Sequence, residues 1–300
     1  MVMRTAEMGW RRIRVVPAAL LLGTVLLCGI VPAIAQAEEV RPCEPDKLAT
    51  RYPGLVGKTI RIGQDGASVP YTYRDPKDPD HIIGSDADYA RSVFGCIGMP
   101  VEFVIGTWGG LIAAVSSGRI DVMWDVLYYT PERAKIVDFV LYEAASDAAV
   151  VRHGNPKNIN SLDDLCGKRG LGGLGTIEAN LLQVLSKKCT DAGKDAIDIY
   201  TYSDKPSAWR MIENDRGDVV LGSAAMADAL VAERPEVFGI GFRFLPDIKC
   251  GVGVAKGNTE LEQAIRDGIE ATQASGQIAK IFATYKLDPA LIIAPAILTK

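Results

Sequence analysis

From Thr59 the chain alternates short β-rich runs with helical patterns, and it does so twice. Residues 59–63 (TIRIG), 101–105 (VEFVI) and 120–124 (IDVMW) read as strands. Between the first two, Asp86 stands as the cap of a helix with Ala90, Val93, Phe94 and Ile97 on one face. Leu111, Ala114 and Val115 mark a short helix that stops at Gly118, and Pro131 fits the first turn of another. This βαβαβ order implies a mostly parallel, doubly wound α/β sheet covered on both faces. The order then restarts: strand 168–171, helix 176–185, strand 197–202, helix 208–214, strand 218–221. A strand over 250–254 and helices over 258–274 and 277–285 complete the chain. Thr259 and Glu262 have capping-box spacing, and Gly276 is a natural stop. No Pro/Gly/Ser-rich linker separates the two units. Short strand-like crossings are expected near 148–152 and 244–247, which suits two lobes hinged around a cleft.

The first 37 residues do not share this pattern. Arg4, Arg11, Arg12 and Arg14 precede an apolar run over 15–34, which closes on Ala35-Gln36-Ala37 ahead of two glutamates. That is the order of a secretory signal peptide, cleaved after about Ala37, and it predicts an exported, periplasmic protein. The alternative is a retained anchor, since the run nearly spans a bilayer. Cleavage removes four arginines and one glutamate, moving the formal net charge from -4 to -7. An acidic chain with pI ≈ 5.4 is no nucleic-acid binder, and 48% hydrophobic content excludes disorder. Export also permits disulfides. Cys166 and Cys189 flank one strand–helix unit and form the first expected pair. Cys43 and Cys96 form the second, and Cys250 is expected as a buried thiol. Two histidines leave little material for a metal site, and no cofactor is expected.

Gly170-Leu171-Gly172-Gly173-Leu174-Gly175 is formally G-x-G-x-x-G, with Asp191 about twenty residues on. A dinucleotide site fits poorly, because this unit does not open its sheet and the protein is exported. A Gly-rich turn still lets backbone approach a ligand, and the following helix start offers N–H groups, with Thr176 as cap and hydroxyl donor. The stretch from Ile120 to Arg133 carries Trp124, Asp125, Tyr128 and Tyr129 in a loop. Arg133 then falls in a first helical turn, against the helix dipole, so it needs a partner. That partner is a ligand carboxylate, Asp125, or solvent. Trp108, beside two glycines, is either a cleft wall or core. Asp65 and Ser68 lie beyond the first strand's carboxyl end, where such sheets bind ligands, or are turn residues. No G-x-S-x-G, H-E-x-x-H, Walker A or C-x-x-C set is present.

Several ordered stretches carry a resemblance: IRIGQDGASVPYTYRD, IIGSDADYARSVFG, GGLIAAVSSGRIDVMW, YYTPERAKIVDF, LGTIEANL and TELEQAIRDGIEATQASGQIAKIFATY. The chain resembles the family 3 extracellular solute-binding proteins, the polar amino-acid-binding group that serves ABC importers. The resemblance implies a periplasmic-binding-protein-like type II fold, with two α/β lobes, a hinge and a central ligand cleft. Lobe 1 would be 38–148 plus 248–300, and lobe 2 would be 149–247. It implies a monomer that captures a small polar solute by lobe closure and delivers it to an inner-membrane permease. An enzyme on the same scaffold, of the cyclohexadienyl dehydratase kind, and a soluble sensor for a membrane receptor are the alternatives. Arg133 would grip the ligand's carboxylate, Gly175 and Thr176 would sit at the second lobe's helix start, and Trp108 would wall the cleft. The departures matter as much. The family's acid after the 218–221 strand is Ser223 here. Its aromatic before Pro70 is Ser68, its small residues before Thr-Pro-Glu-Arg are Asp125 and Tyr128, and a hydroxyl after Thr176 is Ile177. The carboxylate grip is thus kept, and the ammonium grip is lost or moved to Asp125.

Overall fold

The structure, a computed structural model, describes residues 42–299; the expected signal peptide lies outside the described residues. The strands are β1 (Ile60–Gln64), β2 (Ala67–Ser68), β3 (Thr72–Asp75), β4 (Asp78–Ile83), β5 (Val101–Ile105) and β6 (Val122–Met123). They continue as β7 (Val137–Arg152), β8 (Arg169–Gly173), β9 (Asp198–Tyr202), β10 (Val219–Ser223), β11 (Phe238–Ala255) and β12 (Ile292–Leu298). The helices are α1 (Leu48–Arg51), α2 (Ser85–Ile97), α3 (Leu111–Ser116), α4 (Pro131–Ala134) and α5 (Ile177–Asp191). After them come α6 (Lys205–Glu213), α7 (Ala224–Glu233), α8 (Thr259–Ala274) and α9 (Gln277–Thr284). Among the described residues no helix is long and apolar enough to cross a membrane.

One sheet runs β5-β1-β6-β11-β7-β10-β8-β9, and β12 also pairs with β7. The two outer parts, β5-β1-β6 and β10-β8-β9, are parallel, as the βαβ patterns require. The middle is not. β7 and β11 are long antiparallel strands that pair from Phe238↔Arg152 to Ala255↔Val137. The expected short crossings are therefore 16 and 18 residues long, and the sheet is mixed rather than mostly parallel.

Burial on both faces explains these strands. On β7, Ala149 and Val151 pack with Leu182, Leu185, Val219 and Leu221. Their neighbours Ala148 and Val150 pack on the opposite face with Leu171, Ala208, Ile212 and Phe238. At the other end, Val140 and Val252 join the core under α2, α8 and α9, while Phe139 and Leu141 face α3. Cys43 is bonded to Cys96 and Cys166 to Cys189, the expected pairing, and Cys250 is the buried free thiol.

Two capping expectations are corrected and one holds. Gly84, not Asp86, is the N-cap of α2, and Asp86 lies inside its first turn with its carboxylate turned into the core. Asn258, not Thr259, caps α8, so the 259/262 spacing forms no capping box. Thr176 does cap α5, accepting from the Ala179 N–H. The Gly-rich stretch before it is a packing device. A Cβ on Gly172 would stand 2.6 Å from the Ala179 Cα, so glycine is what lets α5 settle on β8.

Candidate ligand-binding site

Arg133 enters the site because Thr130 and Pro131 start a helix there. The Thr130 hydroxyl accepts the Arg133 N–H at 3.2 Å. Its guanidinium donates to Tyr128 O (2.7 Å) and, across from α5, to Gly175 O (3.0 Å). The same group lies over the Trp108 ring, 5.1 Å from the centroid. Arg133 is only 8% exposed, and burial pulls its pKa down. Among the described residues it has no carboxylate ion pair. The Asp125 carboxylate does not serve it. That group accepts from the Asp65 N–H and the Thr72 hydroxyl, both at 2.9 Å. Its hydrogen bonds go only to carbonyls, and Glu178 acts on it as a neighbouring charge without bonding to it, so an anion that does bond to the guanidinium is its natural partner.

The guanidinium borders a cavity of about 80 Å³ lined by Trp108, Tyr128, Thr176, Glu178, Lys205 and Ser223, among others. Roughly 10–15 Å³ of such space holds one water, so a small solute of several non-hydrogen atoms fits. Of the sequence candidates, Trp108, Tyr128, Arg133, Thr176 and Ser223 share this lining. Gly175 stands beside it, in the left-handed region (φ 80°), and approaches Gly109 from across the opening. A Cβ at Gly109 would fall 2.8 Å from Leu174 O, so the two loops meet only because that position is glycine.

Asp65, Ser68 and Asp125 are not lining residues. They belong to a clasp that sequence reasoning missed. Lys205, at the start of α6, reaches across to Asp65 Oδ2 (2.6 Å) and Ser68 Oγ (2.7 Å). Burial, and then the neighbouring Asp65, push Asp125 well above the usual carboxylate range. The signal available was Asp204 ahead of Lys205-Pro206, a helix start, but nothing in it named a partner 140 residues away.

Two further acids were also missed. The Tyr128 hydroxyl donates to Asp147 Oδ1 at 2.8 Å, while Asp147 Oδ2 meets no donor. Burial, then the neighbouring Glu178, push Asp147 up to about 9. Glu178 itself is 5% exposed.

In the cavity lining, Val126 is held at φ 43°, costly for a β-branched residue. Its N–H donates to Asp86 Oδ2 at 2.7 Å, and Tyr142 donates to Asp86 Oδ1 at 2.8 Å. Burial pushes Asp86 up to about 7, and next to it Glu143 is fully buried with neither oxygen partnered. Burial, then Asp86, raise Glu143 as well. Folded carboxyls with raised pKa hold protons the unfolded chain has released. Stability therefore falls as pH climbs from about 4, through the Asp86 value near 7. Replacing an unpartnered buried carboxyl by an apolar group of similar size gains about 1–3 kcal/mol. Glu143→Leu is expected to gain that much at pH 7 and to flatten the decline between pH 4 and 7. Urea unfolding at several pH values measures it; a variant less stable at every pH would refute the account.

Residues 60–288 match the bacterial extracellular solute-binding proteins, family 3. The chain belongs to this family. It is similar to the L-cystine-binding protein TcyJ of Escherichia coli (strain K12), 27% identical over 231 residues, covering 75% of this chain and 83% of that one. Among solved structures it resembles an ancestral arginine-binding protein bound to arginine, with TM-score 0.68 and 31% identity over 76% of this chain and 97% of that one. The fold is also that of an ancestral amino acid-binding protein, AncCDT-1, titled a precursor of cyclohexadienyl dehydratase; TM-score is 0.67 and identity 24%, over 80% and 98% of the two chains. The family 3 chain described here thus has the type II periplasmic-binding-protein fold, with β7 and β11 joining the two parallel parts.

Proposed function

We propose that this chain is the exported solute-binding component of an ABC importer. It captures a small, carboxylate-bearing polar solute, an amino acid or a related compound, and presents it to a membrane permease. The single observation that carries the reading is Arg133: a buried guanidinium that has no carboxylate ion pair among the described residues and borders a cavity of solute size. The amino acids in the names of its relatives, L-cystine and arginine, fit that requirement.

Lobe 1, 38–148 plus 248–300, and lobe 2, 149–247, close over the solute, which stabilises the closed form by binding it more tightly than the open one. Lys205 to Asp65 and Ser68, and Arg133 to Gly175, are then bonds made on closure. Export with cleavage after about Ala37 accounts for the basic and apolar start, and the two disulfides suit an oxidising compartment.

A thermal-shift screen against L-amino acids, L-cystine, organic acids and neutral sugars tests the reading. A solute at a hundred times its Kd stabilises by about 2.7 kcal/mol and visibly raises Tm. Carboxylate-bearing solutes are expected to do so. Stabilisation by neutral sugars alone would overturn the carboxylate reading, and turnover of the stabilising solute would favour the enzyme.

A further inference from the structure

Core side chains wall much of the cavity that Arg133 borders. Val150 on β7, Val220 and Leu221 on β10, Trp209 on α6, and Met226 and Ala227 on α7 all line it. Val150, Val220, Leu221 and Ala227 are each at most 2% exposed. Val150, Val220 and Ala227 belong to one apolar cluster with Phe238. Trp209 packs against that cluster, its ring 6.2 Å from the ring of Phe238. The cross-strand pair Val220↔Val150 sets these two valines on one face of the sheet, the face that α6 and α7 cover. A hollow with such walls favours hydrocarbon over water.

The charged groups in the lining leave little for a solute. Among the described residues they are Arg133, Glu178 and Lys205. Lys205 is bonded to Asp65 Oδ2 at 2.6 Å and to Ser68 Oγ at 2.7 Å. Glu178 is hydrogen-bonded to Asp147, which stands at about 9 and so supplies the proton of that bond at pH 7. Of the three, Arg133 alone bonds only to carbonyls, and it suits an anion.

We propose that the solute carries an apolar side group, aliphatic or aromatic, seated between α6 and α7 against Val150, Val220 and Ala227, while Arg133 holds its carboxylate. This rests on the solute-binding reading above and narrows it. A second charge at the far end of the solute would be buried against hydrocarbon without a partner, which the lost hydration makes unfavourable. Arginine, held by one similar structure, is then a poor solute for this chain.

Isothermal titration of the full mature protein tests this with amino acids that share one head and differ at the far end. L-Leucine, L-methionine and L-phenylalanine carry apolar groups, L-arginine and L-glutamate carry charged ones, and L-alanine has a single methyl. Each methylene buried in such a seat adds about fourfold in affinity. One of the apolar probes is therefore expected to bind at least tenfold more tightly than L-alanine, L-arginine and L-glutamate. Ala227→Leu fills the hollow and should cut the ratio of apolar-probe to L-alanine affinity at least tenfold. A variant that merely loosened the fold would weaken both probes and leave that ratio in place. The wild-type ranking stands even where the variant folds poorly. Tighter binding of L-arginine or L-glutamate than of every apolar probe, or a ratio that Ala227→Leu does not reduce, overturns the apolar seat. Either result leaves the carboxylate reading intact, since all these probes keep the carboxylate. No binding by any of them also overturns the seat, and the thermal-shift screen then decides the carboxylate reading separately.

Discussion

Arg133→Ala is expected to weaken binding of the carboxylate-bearing solute at least a hundredfold. A hydrogen bond to a charged group contributes about 1.5–3 kcal/mol, and a planar guanidinium can offer two. A hundredfold loss corresponds to about 2.7 kcal/mol, so one strong contact is enough to reach it. Arg133 also holds Tyr128 O and Gly175 O, so the alanine variant loses one bond between the α4 and α5 regions as well. Arg133→Lys separates these effects. A lysine keeps the charge but presents no fork, and it is expected to recover only part of the affinity. Calorimetry with the best-stabilising solute, beside the Tm of the solute-free variants, is the measurement. A loss below threefold with an intact fold would mean that the solute's anion, if it has one, sits elsewhere.

The outer strands were legible because each is short and set between turn signals and helical patterns. β1, β5, β8 and β9 fall within a residue or two of their expected places. β7 was not legible. Its sequence VDFVLYEAASDAAVVR is buried on both faces, so it lacks alternation, and Glu143 and Asp147 interrupt it as a loop would. Those two acids are tolerated because burial keeps them protonated, a fact of the fold and not of local sequence. The same limit governed the site. Arg133, Thr176 and Trp108 sit in local motifs: a helix start, a Gly-rich turn, a glycine pair. Lys205 and Asp147 acquire their contacts only through partners that the fold brings close, Asp65 and Tyr128. Asp125 shows the converse error. It was conspicuous in sequence, but Asp65 and Thr72, more than fifty residues earlier, occupy its carboxylate.

Trp124 carries the largest expected loss of stability. Its place in the loop sequence beside Asp125 pointed towards the site, but the ring is fully buried in the core. It meets Tyr142 at 5.4 Å, Tyr89 at 5.5 Å and Phe94 at 6.2 Å between centroids. Trp124→Ala removes those contacts and leaves a cavity that rigid neighbours on α2 and β7 cannot fill, a change that costs about 3–5 kcal/mol. Trp124→Phe is the informative control. The indole Nε1 is buried without a partner, so phenylalanine forfeits volume but no hydrogen bond. It should cost less than half as much, because removing an unsatisfied donor offsets part of the lost packing. Urea midpoints for the two variants give the comparison. Trp124→Phe as damaging as Trp124→Ala would mean that the indole nitrogen has a partner, such as a buried water, and that the ring is a polar anchor for the Asp125–Val126 turn. If packing alone matters, Trp124→Phe should also bind solute almost normally, since Val126 is held by Asp86 and Trp108 binds Asp125 O independently of that ring.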